Sequence, residues 1–157
     1  MSEVSAAGPV MQDENVKVAA VIVNHPPVKP ALGYRFDFHD RSIAFSGDIT
    51  PLEVMAQLAK GADVLVHEPM YVPAMQAYLR AEIGREQAVP FDTLMAHITD
   101  KHSSVDAVGR IAQQAGVKTL VLSHLTPAHG VSDATWRREV AKAFKGEILI
   151  AEDLMVI

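Results

Sequence analysis

The chain has 157 residues, of which 49% are hydrophobic and 21% charged, enough for one globular domain with one core. A net charge of −5 argues against broad binding to a phosphate backbone, so nucleic acid is not the expected partner, and the absence of cysteine leaves only His, Asp, Glu and water as metal ligands. No apolar run approaches the ~18 residues of a membrane span and no basic-then-apolar leader opens the chain, so a cytoplasmic location without a membrane partner is expected.

Residues 1–15 are small, polar and acidic without periodicity, and read as a flexible lead-in or cut linker; 16–157 reads as the folded unit. Val16 to Asn24 is a strand candidate, stopped by His25-Pro26-Pro27 because proline cannot donate to a ladder. Leu32 to Phe38 and Ser42 to Ser46 form a hairpin about His39-Asp40-Arg41. Thr50, Pro51 and Glu53 open a helix that runs to Lys60 and closes at Gly61. Ala62 to Val66 is apolar throughout, as a strand buried on both faces should be. Pro73 to Ile83 and Phe91 to Ile98 read as helices joined around Gly84.

Ser103 or Ser104 caps the next helix, which places Val105, Val108, Ile111, Ala112 and Ala115 on one face and ends at Gly116. Thr119 to Ser123 is another buried strand. Ser132 caps a helix over Asp133 to Lys145, and Glu147 to Ala151 and Leu154 to Ile157 make a final strand pair. Strands alternating with helices predict an α/β layered protein, and the early run of strands predicts a mixed sheet.

Three of these strands end in residues that can bind ligands: SIAFSG at Asp48, ADVLV at His67-Glu68, and TLVLS at His124. Sites in layered α/β proteins form at the carboxyl ends of strands. If these strands are parallel neighbours, Asp48, His67 or Glu68, and His124 share one rim, and the loop holding His102 reaches it. Each residue also has a structural reading. Asp48 suits a turn, His124 a hydrogen-bonded strand end, and His67 a buried core position. His39, His97 and His129 read as surface residues.

Gly33-Tyr34-Arg35-Phe36, Ile43 to Asp48, Ala62 to Glu68, His102-Ser103-Ser104 and Val121 to Leu125 occur in that order. The series resembles the C-terminal half of metallo-β-lactamase-fold hydrolases, on the branch with ribonuclease Z and arylsulfatase-like enzymes, over roughly Val16 to Pro127. The resemblance implies an αββα layered sandwich, of which this chain is the C-terminal half, a mixed sheet flanked by helices. It implies that Asp48 bridges two zinc ions, that His124 is a ligand of the second, and that His102 is the catalytic group that protonates the leaving group. His25 falls near the substrate. Glu68 orients a neighbour, and His67 belongs with it around the site. The family's Gly-Asp-Thr is here Gly47-Asp48-Ile49, with Thr50 one step later. The chemistry is coherent. A carboxylate bridges two cations, neutral imidazole suits zinc, and two metals activate water and neutralise charge on a phosphoryl, sulfuryl or acyl centre.

The family's His-x-His-x-Asp-His segment does not occur in this sequence, where no two of the seven histidines are two residues apart. Asp48 and His124 alone make a weak site, since catalytic zinc usually takes three protein ligands. The expectation is a hydrolase of a small phosphate, sulfate or lactone ester, incomplete and inactive without the missing N-terminal half or a self-associating copy that covers the bare sheet face. The alternative is a non-catalytic binding or assembly domain on the same fold. A third reading is an unrelated α/β domain, in which His102 and His124 lie far from Asp48. Met70, Tyr71, Met75 and Tyr78 either roof a pocket or pack the core.

Overall fold

The computed structural model describes residues 3–50, 53–82 (of Glu82, the backbone only) and 89–157. Seven strands form one sheet in sequence order: β1 (Gly8–Gln12), β2 (Val16–His25), β3 (Val28–Phe38), β4 (Ser42–Phe45), β5 (Val64–His67), β6 (Thr119–Leu122) and β7 (Glu147–Ile150). β1 to β4 pair antiparallel and β4 to β7 pair parallel, so the sheet is mixed as expected. The change falls where the connections change. Short turns join the first strands, and helices α1 (Glu53–Leu58), α2 (Val72–Glu82), α3 (Phe91–Thr99), α4 (Val105–Ala115) and α5 (Asp133–Val140) join the rest.

The sheet's two faces differ. On one, the cross-strand row Ala44, Leu65, Leu120 and Ile148 packs under α1, α4 and α5. α4 buries the face predicted from its spacing, Val105, Val108, Ile111, Ala112 and Ala115, against fully buried Trp136 of α5. Truncating a side chain such as Leu65 there costs about 2–5 kcal/mol. Gly33 lets α1 lie close: a Cβ on it would stand 2.7 Å from the Met55 sulfur. Arg35 then donates to the carbonyls of Leu58 and Lys60 at 3.0 and 2.8 Å, which holds the end of α1 on β3.

The opposite face carries the row Tyr34, Phe45, Val66, Val121 and Leu149 and is much barer. Phe45 is 40% exposed there, an open apolar surface of the kind expected for half of a two-sheet sandwich.

Some expectations need correction. The reading of 1–15 as a lead-in fails for Gly8–Gln12, which form β1 on the sheet edge. The missed signal is Asp13-Glu14-Asn15: the Asp13 carboxylate accepts from the N–H groups of Asn15 and Val16 at 2.8 and 2.9 Å and makes the hairpin turn. Leu154 to Ile157 form no strand. Leu154 has φ 64, which breaks the extended run, and Met155 to Ile157 instead line a cavity of about 430 Å³ with Ile43, Phe45 and Val64. α5 ends at Val140 rather than Lys145. Pro51, in the predicted helix start, and Ile83 and Gly84 lie outside the described residues. Among the described residues no helix is long and apolar enough to cross a membrane.

Candidate functional site at the strand ends

β4, β5 and β6 are parallel neighbours, so their carboxyl ends share one rim. The ladder continues one step past the strands: Ser46 N–H donates to Val66 and Ser123 N–H to His67, each at 3.0 Å. Gly47 then turns the chain out at φ 64, a conformation that favours glycine, and presents Asp48. His124 follows β6 with φ 53. This left-handed backbone is uncommon for a side chain of its size, and such strain gathers at functional sites. The two meet across the rim, His124 Nε2 lying 3.2 Å from Asp48 Oδ2, with side chains 60% and 35% exposed.

Beside them is a second imidazole–carboxylate pair of different character. Glu68 is only 2% exposed. One of its oxygens accepts from Ser103 N–H at 2.8 Å, and the other lies 3.3 Å from His102 Nδ1. The Glu68 bond raises the His102 pKa above its ordinary value, against the opposing effect of burial. With Nδ1 held by Glu68, Nε2 is the nitrogen left to exchange a proton with a substrate.

The rings form a row. His102 stacks on His124 with centroids 6.4 Å apart, and His25 meets His102 edge-on at 5.8 Å. His25 Nδ1 donates to the Lys101 carbonyl at 3.2 Å, tying the end of β2 to the loop that carries His102. His67 has gone elsewhere. It is buried, its Nδ1 donates to the Glu68 carbonyl at 2.8 Å, and its Nε2 has no partner among the described residues. Burial lowers its pKa and keeps it neutral. A concavity of about 190 Å³ lined by Gly47, Asp48, His67, Glu68, Ser123 and His124 opens at the rim.

The third reading fails on these distances, since His102 and His124 lie beside Asp48 and not far from it. His39, His97 and His129 are exposed, as expected. Sequence reasoning named Ser103 only as an alternative cap for α4 and as part of the motif after His102, not as a bridge between segments. Ser104 caps α4 by accepting from Ala107 N–H, while fully buried Ser103 donates its hydroxyl to the Ile49 carbonyl at 2.8 Å. Met70 N–H donates to the Ser103 carbonyl at 2.7 Å, so one residue joins the segments that carry Asp48, Glu68 and His102. The adjacent Ser-Ser pair was the only signal. Met70 and Tyr71 pack inward, Tyr71 against Trp136, whereas Met75 and Tyr78 line a cavity with His124.

As a cation site, Asp48 and His124 fit in kind, a bridging-capable carboxylate beside an imidazole, but not in number. Among the described residues no group of three or more His, Asp or Glu can hold a metal.

The family described as the beta-lactamase superfamily domain matches residues 2–125. The chain is 34% identical to a ribonuclease Z of Mycobacterium tuberculosis (strain H37Rv), over 94% of its own length and 50% of the relative's. It is 33% identical to a ribonuclease Z of Mycobacterium avium, over 94% and 49%. It thus spans about half the length of these relatives. The fold is similar to that of the metallo-beta-lactamase fold protein YhfI from Bacillus subtilis (TM-score 0.67, 20% identity, 92% of this chain and 50% of that one). It is also similar to that of human tRNase Z, short form (TM-score 0.59, 22% identity, 95% and 45%). Relatives named ribonuclease Z overturn the expectation of a small-molecule ester substrate with nucleic acid not the expected partner. The net charge of −5 misled because it sums over a whole surface, whereas binding of an anion at one site responds to local charge.

Proposed function

The chain belongs to the beta-lactamase superfamily domain family, and from that premise we propose that it carries the proton donor and part of the metal site of an RNA phosphodiesterase. The observation that carries this reading is the meeting of two imidazole–carboxylate pairs on one rim, one exposed and one anchored by a buried glutamate.

Asp48 and His124 are the residues of this chain that would hold the metal. Their exposure leaves room for the donors that this pair does not provide. A two-metal centre bound there, completed by donors from elsewhere, would supply an activated water and neutralise charge on the phosphoryl oxygens. His102 donates a proton from Nε2 to the departing sugar oxygen. The Glu68 bond, which raises its pKa, favours the protonated form that a proton donor needs. Glu68 holds the ring through Nδ1, and Ser103 N–H holds Glu68. His25 backs His102 and limits its rotation.

The test is hydrolysis of an RNA oligonucleotide in zinc, by the chain alone and mixed with a polypeptide matching the first half of the Mycobacterium tuberculosis relative. Little activity alone and turnover in the mixture, abolished by Asp48→Ala, is the expected result. A mixture that forms a stable complex yet cleaves no RNA would instead favour the binding or assembly reading.

A further inference from the structure

We infer that the cavity between α2 and the loop after β6 is a stacking pocket for a nucleobase neighbouring the phosphate at the rim. This rests on the phosphodiesterase reading and extends it to how the nucleotide is held. The cavity measures about 410 Å³, within the range of small-ligand sites, and is lined chiefly by Met75, Tyr78, His124, Leu125, Pro127 and His129. His124 belongs to both concavities, so the pocket opens directly beside Asp48. A ligand that fills both has a charged group at the rim and a flat, weakly polar group beside it. A nucleotide has that form.

The chemistry of the lining favours a base over a second phosphate, since among the described residues it contains no Lys, Arg, Asp or Glu. Among the described residues no Asn or Gln side chain lines it, and the exposed Tyr78 ring offers a face for stacking. Tyr78 is half exposed, one helical turn from Met75 on the same ridge of α2. A large aromatic ring left uncovered beside a site is a platform for a base.

The walls are set in place without a ligand. Thr126 N–H donates to the Pro69 carbonyl at 3.0 Å and Tyr71 N–H to the Thr126 carbonyl at 2.9 Å, so the loop and the start of α2 are stitched to one segment. Tyr71 is in turn held edge-on against buried Trp136. Such preorganisation lowers the ordering cost of binding.

The experiment titrates the chain with adenosine, uridine and ribose at millimolar concentration and follows the Tyr78 ring and Met75 methyl resonances. Saturable shifts with both nucleosides, stronger for the purine and absent with ribose, are expected. Tyr78→Ala should weaken adenosine about tenfold and Tyr78→Phe should preserve it. No saturable shift, or an unchanged affinity in Tyr78→Ala, overturns the pocket. Neither result depends on metal, so it is distinguishable from failure of the phosphodiesterase reading, which shows as no RNA cleavage by the complemented mixture.

Discussion

The parallel strands β4, β5 and β6 carry charged groups at both ends, and the two ends are built differently. At the amino ends, Asp63 accepts from the Ser42 N–H and hydroxyl at 2.7 and 3.1 Å and from Lys118 Nζ at 2.6 Å. Thr119 donates to Glu147 at 2.9 Å. Each of these polar groups has an obvious partner from a neighbouring strand, and the network does nothing but join strands. At the carboxyl ends, exposed His124 meets a partly exposed Asp48, His124 has left-handed backbone, and the Nε2 of His67 is buried without a partner among the described residues. The contrast shows how to tell a site from a structural network when both are made of ionisable residues. A network closes on itself, whereas a site leaves donors and acceptors for something else.

The largest expected effects break the open end alone. His102→Ala should lower RNA cleavage by the complemented protein about 100-fold or more, the usual contribution of a general acid. Glu68→Gln should cost about tenfold, because it spares the imidazole but removes the charge that raises its pKa. The sign on pH follows. His102 would lose its proton at lower pH, so the alkaline limb of the rate profile moves down, and a histidine titration by NMR would show the same shift. Glu68→Ala goes further and strands the buried Ser103 N–H, at a cost of about 1–3 kcal/mol in a denaturant melt.

A smaller effect sharpens the comparison from inside the rim. His67 is neutral in the fold, with its pKa held below the ordinary 6.5 by burial. The unfolded chain therefore takes up the proton first, and stability present above about pH 6.5 declines as pH falls. His67→Asn, scanned by melting temperature between pH 5 and 8, should flatten that decline. The smallest effect lies at the closed end. Lys118 and the Ser42 N–H hold the Asp63 pKa down to about 2. Its contribution is present above about pH 3.8 and lost as pH falls towards 2. Asp63→Asn should melt slightly lower at neutral pH, lose less on acidification, and leave cleavage unchanged. An effect on cleavage would erase the distinction between the ends.

Most of the rim was legible because its signal is local. An apolar run followed by Asp48, Glu68 or His124 marks a buried strand and the point where it surfaces, and parallel order then brings the ends together. Ser103 was not legible, since its partners Ile49, Glu68 and Met70 are distant in sequence and only the fold assembles them. β1 was overlooked because an edge strand buries too little to show alternation, although its turn chemistry stood in Asp13-Glu14-Asn15. The last four residues misled in the opposite way. They are apolar enough for a strand, but Leu154 turns out of the extended region and its neighbours rest on the bare sheet face.

The central claim is that the rim divides into a ligand pair, Asp48 with His124, and a proton-donating pair, His102 with Glu68. A zinc titration followed on the histidine ring resonances of the wild-type chain, Asp48→Ala and His102→Ala tests it most directly. The account predicts that zinc perturbs His124 in the wild type and in His102→Ala alike, and that Asp48→Ala abolishes the response. A response that survives Asp48→Ala, or that disappears with His102→Ala, would contradict the division.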